Sequence, residues 1–476
     1  MHFVYGNWQQ GSGESFDSTN PVTEALLWQG RAATVDEVHQ AFDAAAEAQL
    51  RWRARCWEER AEVIHRFAEL ADQHTEMLAK AISDEVGKPL WDAKTEAKAV
   101  VSKCQISIEA YQGLRDDTQV STNTLLGRVV YRPLGVVAVI GPFNFPAHIA
   151  NGQIVPALLA GNSVIFKPSE LTPYVAQMMV ELWEQAGLPP GVLNLVQGGV
   201  STSQAILAEP QLRGLFFTGS RATGIKLREA MVQRLEVLLA LELGGNNPFV
   251  VHQPANIDDN VDKVIKSAYM TSGQRCTCTR RLIVTGDAKL FLKRLVEKTQ
   301  EISVGRPSDE PEPFMGSLIH ARAVENVLRF QSQLISQGAT PLLPSQSLSI
   351  GPAFVSPGII DVTDCKTRSD EEVFGPLLQV IRVPDLGAAI REANDTQYGL
   401  AAGILCDDRA DFEEFRDQVQ AGLVNWNLAT TGASGRLPFG GIGQSGNYRP
   451  AGSHAVNFCH VPIAEVEAVS EEGTSQ

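Results

Sequence analysis

Strand-sized apolar runs alternate with amphipathic stretches along this chain, and the alternation restricts its possible folds more than any other feature. Apolar runs rich in β-branched residues indicate strands, whereas helical spacing of apolar residues indicates helices. Strand–helix–strand alternation gives a parallel sheet with helices on its faces, so we predict an α/β fold. The predicted strands are Gly127–Tyr131, Val136–Ile140, Ser163–Phe166, Val192–Val196 and Leu215–Phe217, and the predicted helices are Val35–Trp52, Glu58–Asp84, Tyr174–Ala186 and Thr202–Ala208.

The second half of the chain repeats the alternation, which predicts a second lobe. A chain of 476 residues is too long for one ordinary core. Gly244 and Gly245 interrupt the pattern and suggest a boundary near Leu243–Asn247. Ligands usually bind in the cleft between two lobes. The predicted elements here are the strand Arg281–Val284 and the helices Asp258–Met270, Lys289–Glu301, Asp385–Asn394 and Asp411–Gln420.

Charge and composition argue against several classes of protein. The net charge of −15 disfavours binding to nucleic acid or to anionic lipid. No apolar run reaches the ~18–20 residues of a membrane span, and the first ten residues lack the pattern of a secretory signal. Seven cysteines with no framework spacing indicate a reduced, cytoplasmic protein, and the C-x-C pair Cys276 and Cys278 lacks the spacing of a zinc site.

A cysteine with nucleophilic character is the first chemical signal. Cys276 follows a glycine-marked turn in Ser272–Thr277, and Arg275 lies beside it. Nearby positive charge favours the thiolate, which is the reactive form. A buried structural cysteine remains the alternative for this segment taken alone.

Two other segments supply candidate partners for such a nucleophile. Glu242 lies between leucines and next to two glycines, an apolar setting that raises a carboxylate's pKa toward that of a general base. Asn144 follows the Gly141-Pro142 turn and offers an amide donor for an oxyanion. Each segment by itself is also compatible with a helix cap or a surface turn.

Two strand ends have the chemistry of a nucleotide site. Lys167 and Glu170 follow one strand and suit ribose hydroxyls. Gly219, Ser220 and Gly224 follow another and open a helix, whose N-terminus favours a phosphate. The usual G-x-G-x-x-G fingerprint is absent, so spacing alone supports a dinucleotide only weakly.

Seven motifs in fixed order resemble the aldehyde dehydrogenase superfamily over nearly the whole chain. Two of them, E-E-V-F-G-P and P-F-G-G, are also compatible with plain turns when taken singly. The resemblance rests on all seven motifs together, because seven motifs rarely occur in the same order by chance. In chain order the motifs are P-F-N-F-P, K-P-S-E, F-T-G-S, L-E-L-G-G, G-Q-R-C, E-E-V-F-G-P and P-F-G-G.

The resemblance implies a role for each matching position. It implies that an aldehyde is oxidised through a thioester on the nucleophile, with NAD as the cofactor and no metal. A carboxylate near the adenosine 2′-hydroxyl repels a 2′-phosphate, which favours NAD over NADP. The implied residues are Cys276 as nucleophile, Glu242 as general base, Asn144 as oxyanion donor, Lys167 and Glu170 at the adenosine ribose, Gly219, Ser220 and Gly224 at the pyrophosphate, Glu372 and Phe374 at the nicotinamide ribose, and Phe145 and Phe439 at the substrate.

The resemblance also implies domains and assembly. It implies a Rossmann-type NAD-binding lobe in residues 1–115 and 134–244, and an α/β catalytic lobe in residues 245–454. A β-strand arm for oligomerisation would comprise residues 116–133 and 455–476, with strand character from Ala455 to Val469. Family members of this kind form homodimers or homotetramers.

Three longer runs resemble one branch of the family, whose substrate is a semialdehyde of arginine catabolism with two carboxylates. The runs are Ser272–Arg281, Asn425–Ser434 and Gly443–Pro450. Arg275, Arg436 and Arg449 lie in or next to them and suit carboxylates. A structural ion pair is the alternative for each arginine. Succinic, glutaric or glutamate semialdehyde remain alternative substrates, and a non-catalytic structural family member remains an alternative of another class.

If Arg436 receives a substrate carboxylate, the Arg436→Ala variant will raise KM for a dianionic semialdehyde far more than KM for a neutral aldehyde. The physical reason is that only the dianion loses an ionic partner. Steady-state kinetics with both substrates measures the difference. Equal changes for the two aldehydes would contradict this role.

Overall fold

The α/β architecture is confirmed by the structure, a computed structural model that describes residues 1–114, 119–122 and 125–468. The helices and 3-10 turns are α1 Val35–Arg53, α2 Trp57–Gln73, α3 Thr75–Val86, α4 Leu90–Leu114, α5 His148–Leu159, α6 Pro173–Gln185, α7 Val200–Ala208, α8 Arg221–Ala230, α9 Ile257–Tyr269, α10 Lys289–Gln300, α11 Ala321–Ser336, α12 Leu386–Asn394 and α13 Arg409–Gln418, with 3-10 turns at Met270–Gly273, Gly443–Ser445 and Ser453–Phe458. The strands are β1 His2–Val4, β2 Asn7–Gln9, β3 Ser15–Thr19, β4 Leu26–Arg31, β5 Gln119–Ser121, β6 Leu125–Pro133, β7 Val136–Ile140, β8 Ser163–Lys167, β9 Leu193–Leu195, β10 Leu212–Thr218, β11 Leu238–Glu242, β12 Asn247–Val251, β13 Thr279–Thr285, β14 Thr340–Leu343, β15 Gly358–Asp361, β16 Leu377–Val383, β17 Ala401–Leu405, β18 Leu423–Trp426, β19 Pro438–Phe439, β20 Ala451–Gly452 and β21 His460–Ala468. No described helix has both the length and the apolar character needed to cross a bilayer.

The first lobe is built on a seven-stranded sheet in the order β11-β10-β7-β8-β9-β1-β2. The five strands from β11 to β9 are parallel, and β1 and β2 add an antiparallel edge. Successive residues of β7 alternate between two helical layers: Val137 and Val139 pack with α2 to α6, whereas Ala138 and Ile140 pack with α1 and α7. Burial on both faces explains why these strands are continuous apolar runs.

The second lobe has its own seven-stranded sheet, in the order β14-β15-β16-β13-β12-β17-β18. All its pairings are parallel except the antiparallel edge pair of β14 and β15. Leu282 and Val284 of β13 pack toward α9 and α10, and Ile283 packs toward α11 and α12. The boundary suggested near Leu243–Asn247 lies between β11 of the first sheet and β12 of the second.

A third sheet joins distant parts of the chain. Strand β21 pairs antiparallel with β6 along its whole length, and β5 pairs with the other side of β6. The strand predicted to start at Ala455 instead starts at His460. Residues 453–458 form a 3-10 turn that packs into the first lobe's core, where the Asn162 amide donates to the Cys459 carbonyl at 2.7 Å.

Some predicted elements differ from the structure. The helix predicted over Glu58–Asp84 is two helices, because the chain leaves helical geometry at His74. The short strands β1 to β4 were not predicted, since three to six residues carry too little periodicity. The segments 116–118, 123–124 and 469–476 of the predicted arm, and residue 115 of the predicted NAD-binding lobe, lie outside the described residues.

The strand order places the functional segments together. The chain runs from β7 to β8 and β9 on one side, then returns to add β10 and β11 on the other side of β7. In parallel sheets, ligands bind at the carboxyl ends of the strands where the order reverses in this way. Asn144, Lys167, Gly219 and Glu242 lie at or just beyond the carboxyl ends of these adjacent strands.

Candidate active site

A cleft of about 550 Å³ lies at this edge of the first sheet and extends to the second lobe. It brings together residues from six of the seven motifs, although they are spread over more than 200 positions of the chain. The predicted site residues that line it are Asn144, Lys167, Glu170, Gly219, Ser220, Glu242, Cys276, Glu372 and Phe374.

The other predicted residues lie close by but do not line this cleft. Gly224 is buried in the first turn of α8, where an added Cβ would meet the Leu243 side chain at 2.6 Å. Phe145 is half-buried between the Lys88 ammonium at 3.9 Å and the Arg275 guanidinium at 5.0 Å. Phe439 lies in the two-residue strand β19, which pairs with β20.

The loop that carries Cys276 has an unusual backbone. Thr271, Ser272 and Gly273 all have left-handed φ angles, of 54°, 53° and 74°. Side chains disfavour this conformation, so the fold must stabilise it. The Thr271 hydroxyl donates to Asp92 at 2.5 Å, and the Ser272 hydroxyl donates to the Gly316 carbonyl at 2.9 Å.

Asn247 holds the other side of this loop. Its amide nitrogen donates to the carbonyls of Cys276 and Cys278 at 2.7 and 2.8 Å, and its amide oxygen accepts from the Ala401 backbone N–H at 3.0 Å. One buried side chain therefore ties the cysteine to β12 and β17. This arrangement presents the Cys276 thiol at the cleft wall, where it is partly exposed, while Cys278 is fully buried.

Burial dominates the ionisation of the Cys276 thiol. Burial raises the pKa of Cys276 well above its usual range, and the Glu242 and Glu372 carboxylates raise it further, whereas the Arg280 charge lowers it. The Arg275 guanidinium, predicted to act on this thiol, is instead paired with the buried Asp92 carboxylate at 2.7 Å. Burial thus favours the neutral thiol, and Arg275 does not offset this effect.

Two carboxylates at the cleft, those of Glu242 and Glu372, have oxygens without hydrogen-bond partners among the described residues. Glu242 ends β11, and both of its carboxylate oxygens are buried without a hydrogen bond among the described residues. Burial raises the pKa of Glu242 well above its usual range, while Arg449 opposes the shift. Burial likewise raises the pKa of Glu372 to about 7, against Arg280 and the Gly245 N–H. A carboxylate of this kind can accept a proton at neutral pH.

The Glu242 backbone is fixed from both sides. Its carbonyl accepts from the Gly219 N–H at 3.0 Å. On the other side, the Leu243 N–H donates to the Ser445 carbonyl at 2.9 Å and the Asn447 N–H donates to the Leu241 carbonyl at 3.0 Å, so residues 445–447 pair with the end of β11. The Arg449 guanidinium donates to the Gly440 carbonyl at 2.7 Å beside this segment. The P-F-G-G motif and the residues that follow it therefore support the carboxylate's position.

Asn144 is oriented by a buried ion pair that the motifs did not reveal. The Asn144 amide donates to the Gln274 carbonyl at 2.8 Å, which ties it to the cysteine loop. Its backbone carbonyl accepts from the Lys88 ammonium at 2.9 Å. Lys88 also bonds Glu96 at 2.6 Å, and Glu96 accepts the Ala147 N–H at the start of α5. In the sequence, the Gly87-Lys88-Pro89 segment was the only signal that could have drawn attention to Lys88.

The far end of the cleft has the features of a dinucleotide site. The Lys167 ammonium is buried, donates to the carbonyls of Pro168 and Gly198, and lies 3.9 Å from the exposed Glu170 carboxylate. Burial lowers the pKa of Lys167 to about 8. Ser220 caps α8, and the backbone N–H groups at the start of such a helix can bind an anion. A buried, unpartnered Glu372 Oε1 offers an acceptor for a hydroxyl.

Two arginines predicted near the substrate already have partners. Arg275 donates to the Thr271 hydroxyl at 2.7 Å as well as to Asp92, and both partners are fully buried. Arg436 is two-thirds exposed and pairs with Glu109 on α4. An exposed pair of this kind is weak, so Arg436 is less firmly held than Arg275. Neither arginine lines the cleft.

The chain is similar to known proteins along nearly its whole length. The family model described as "Aldehyde dehydrogenase family" matches residues 8–462. An N-succinylglutamate 5-semialdehyde dehydrogenase of Pseudomonas fluorescens is 48% identical over 472 residues, covering 98% of this chain and 96% of the relative. The resemblance inferred from the motifs, to the superfamily and to this branch, is confirmed.

Solved structures share the fold. The crystal structure of an E. coli NADP-dependent enzyme has a TM-score of 0.93 at 30% identity and covers 98% of each chain. A putative methylmalonate-semialdehyde dehydrogenase of Sinorhizobium meliloti, complexed with NAD, has a TM-score of 0.93 at 25% identity and covers 99% of this chain and 98% of that one. Relatives of this fold therefore include an NADP-dependent enzyme and a complex with NAD.

The raised pKa of Glu242 has a consequence for stability. A carboxyl whose pKa is higher when folded stabilises the protein at low pH and destabilises it as pH rises through the folded pKa. We expect the melting temperature of Glu242→Gln, relative to the unmodified protein, to rise between pH 5 and pH 8. Thermal melts over this range measure the difference, and a constant difference would contradict the unpaired, ionisable carboxylate.

Proposed function

The chain belongs to the aldehyde dehydrogenase family, and on this premise we propose that it oxidises N-succinyl-L-glutamate 5-semialdehyde to N-succinyl-L-glutamate with NAD. The observation that carries the proposal is the 48% identity to a relative of that name over 98% of this chain. The reaction would belong to the arginine succinyltransferase route of arginine catabolism. The site supports the chemistry, because one thiol, an amide and two carboxylates with unpartnered oxygens converge in one cleft.

In the proposed mechanism, Cys276 is the nucleophile. NAD, when bound, supplies the hydride acceptor for the oxidation. The thiol gives up its proton to the Glu242 carboxylate, which returns it to solvent, and the sulfur attacks the aldehyde carbon. The Asn144 amide and the Cys276 backbone N–H donate to the oxyanion, and each such donor is often worth ~3 kcal/mol. Loss of hydride from the hemithioacetal carbon leaves a thioester on Cys276.

Glu242 acts again in the second half of the reaction. Its carboxylate takes a proton from a water molecule, which attacks the thioester carbon and releases the acid and the free thiol. Burial without partners suits this role, because the raised pKa makes the carboxylate a stronger base. Glu372 would bind the nicotinamide ribose through its unpartnered oxygen, with Phe374 packed nearby.

NAD rather than NADP is the cofactor that Glu170 favours. Its carboxylate is half-exposed beside the buried Lys167 ammonium. An adenosine 2′-hydroxyl can donate to this carboxylate, whereas a 2′-phosphate would be repelled. Ser220, Gly219 and the start of α8 would bind the pyrophosphate.

Assembly and location follow from the same premise. Residues 1–115 and 134–244 would bind NAD, residues 245–454 would carry catalysis, and residues 116–133 and 455–476 would join subunits. Strand β21 supports this, because it is an edge of its sheet and an edge strand presents unpaired backbone groups to a partner strand. We propose a homodimer or homotetramer, and a cytoplasmic location in which all seven cysteines stay free.

The test is NADH formation with N-succinylglutamate semialdehyde against succinic, glutaric and glutamate semialdehydes. We expect kcat/KM for the first to exceed every other by about tenfold or more, which is ~1.4 kcal/mol of discrimination. NAD should give a higher kcat/KM than NADP, and Cys276→Ala should be inactive. Broad activity that needs Cys276 would keep the mechanism and overturn the substrate. Inactivity on every aldehyde would favour a non-catalytic family member.

The buried Lys88–Glu96 pair should affect catalysis through Asn144. Removing Lys88 alone would leave the buried Glu96 carboxylate without its cation and destabilise the fold. The double variant Lys88→Met/Glu96→Gln removes both charges and still loses the bond to the Asn144 carbonyl. We expect kcat to fall about tenfold or more with KM for NAD nearly unchanged, because the oxyanion donor is displaced.

A matched control for this double variant is available on α3. Lys80 and Asp84 form a lysine–carboxylate pair at 2.7 Å on the surface, and neither residue lines the cleft. The double variant Lys80→Met/Asp84→Asn should leave kcat unchanged. An unchanged kcat in the Lys88/Glu96 variant, with its fold intact by circular dichroism, would contradict the role of the buried pair.

A further inference from the structure

Arg280 is a buried arginine for which the motifs supply no role. It lies in β13, four residues after Cys276, and is 1% exposed. A guanidinium is costly to bury unless most of its donors are satisfied. The hydrogen-bond partners of the Arg280 guanidinium therefore indicate its role.

Those partners belong to two separate loops of the cleft. Nη2 of Arg280 donates to the Gly273 carbonyl at 2.6 Å and to the Arg275 carbonyl at 3.1 Å, both in the loop that carries Cys276. Nη1 donates to the Gly375 carbonyl at 3.0 Å, in the loop that carries Glu372. One planar side chain thus connects two loops that are about 100 residues apart in the chain.

The two loops also touch directly. Gly273 has a left-handed φ of 74°, and an added Cβ there would overlap the Gly375 carbonyl and lie 2.8 Å from the Pro376 nitrogen. Glycine therefore permits the close approach, and the arginine fork bonds the carbonyls on both sides of it. A lysine has one nitrogen and lacks this fork geometry.

Arg280 also contacts a wall of the cleft. Its guanidinium carbon lies 5.6 Å from the centroid of the Phe374 ring, and Phe374 packs edge-to-face on Phe143 at 5.9 Å. Both aromatic residues line the cleft. Displacing the guanidinium would therefore shift a wall beside Glu372.

The charge of Arg280 acts on the same two groups that the loops carry. Burial raises the pKa of Cys276 and of Glu372, and in both cases Arg280 is the main positive charge that opposes the shift. The hydrogen bonds of Arg280 and its charge therefore both act on Cys276 and Glu372.

We propose that Arg280 is a positioning residue that holds the Cys276 loop against the Glu372 loop through three backbone carbonyls, and so fixes the nucleophile relative to the nicotinamide ribose. The inference deepens the proposed function and rests on it for the roles of the two loops. Arg280 acts through these loops and need not touch the substrate.

Two variants separate geometry from charge. Arg280→Lys keeps a positive charge but loses the fork, whereas Arg280→Met loses both. Arg60→Lys is the matched control: Arg60 is also buried, donates to the Leu159 and Arg55 carbonyls, and lies on α2 away from the cleft. It reports the cost of changing a buried arginine to lysine without touching the two loops.

Three readouts are measured on each full-length variant: the melting temperature, NAD affinity by calorimetry, and the pH midpoint of Cys276 alkylation by iodoacetamide. We expect both Arg280 variants to bind NAD about tenfold or more weakly, because the Glu372 loop moves. The alkylation midpoint should rise by about one pH unit in Arg280→Met and change far less in Arg280→Lys. Arg60→Lys should lower the melting temperature without changing the other two.

The proposal is overturned if both Arg280 variants keep the unmodified NAD affinity and alkylation midpoint, or if Arg60→Lys changes them equally. These readouts need no aldehyde. If the unmodified protein oxidises no aldehyde, the proposed function fails while the test of Arg280 still gives an answer. If it oxidises the semialdehyde and the Arg280 variants behave normally, only the positioning role fails.

Discussion

The cleft is organised around the carboxylates of Glu242 and Glu372. Both lie beside the Cys276 thiol and have too few hydrogen-bond partners among the described residues. Burying a charge without a partner is among the most costly arrangements in a protein. Burial raises the pKa of both carboxyls, and favouring the neutral form lessens this cost. Unpaired acceptors at the cleft wall are also available to a water molecule or a ribose hydroxyl. The same constraint therefore lowers stability and provides the chemistry.

Such an arrangement requires rigid support, and the surrounding residues provide it mostly through the backbone. Asn247 bonds the carbonyls of Cys276 and Cys278, and Arg280 bonds three carbonyls in two loops. Lys88 bonds the carbonyl of Asn144. Side chains that hydrogen-bond to backbone carbonyls fix the loop positions and leave the Cys276 thiol and the Glu242 carboxylate without hydrogen-bonded partners in the described part of the chain. The left-handed run before Cys276 is the conformational cost of this geometry.

Local patterns predicted the elements best where burial is two-sided and periodicity is long. Strands β7, β8 and β10 and helix α1 were placed within a few residues, because continuous apolar runs and regular amphipathic spacing are strong signals. The break at His74 was missed, since its flanking helices share one periodic pattern. The 3-10 turn at 453–458 was predicted as strand, because its apolar residues are buried in the first lobe's core and resemble a buried strand.

The sequence by itself determined the α/β class, the family and the identities of the groups that line the cleft, because these depend on local patterns and on motif order. Only the tertiary structure decided how those groups ionise and which partners they have. Arg275 adjoins Cys276 in the chain yet pairs with Asp92, whereas Arg280 reaches the site from β13. Desolvation and long-range hydrogen bonds depend on the packing of residues distant in the chain, and no local pattern encodes them.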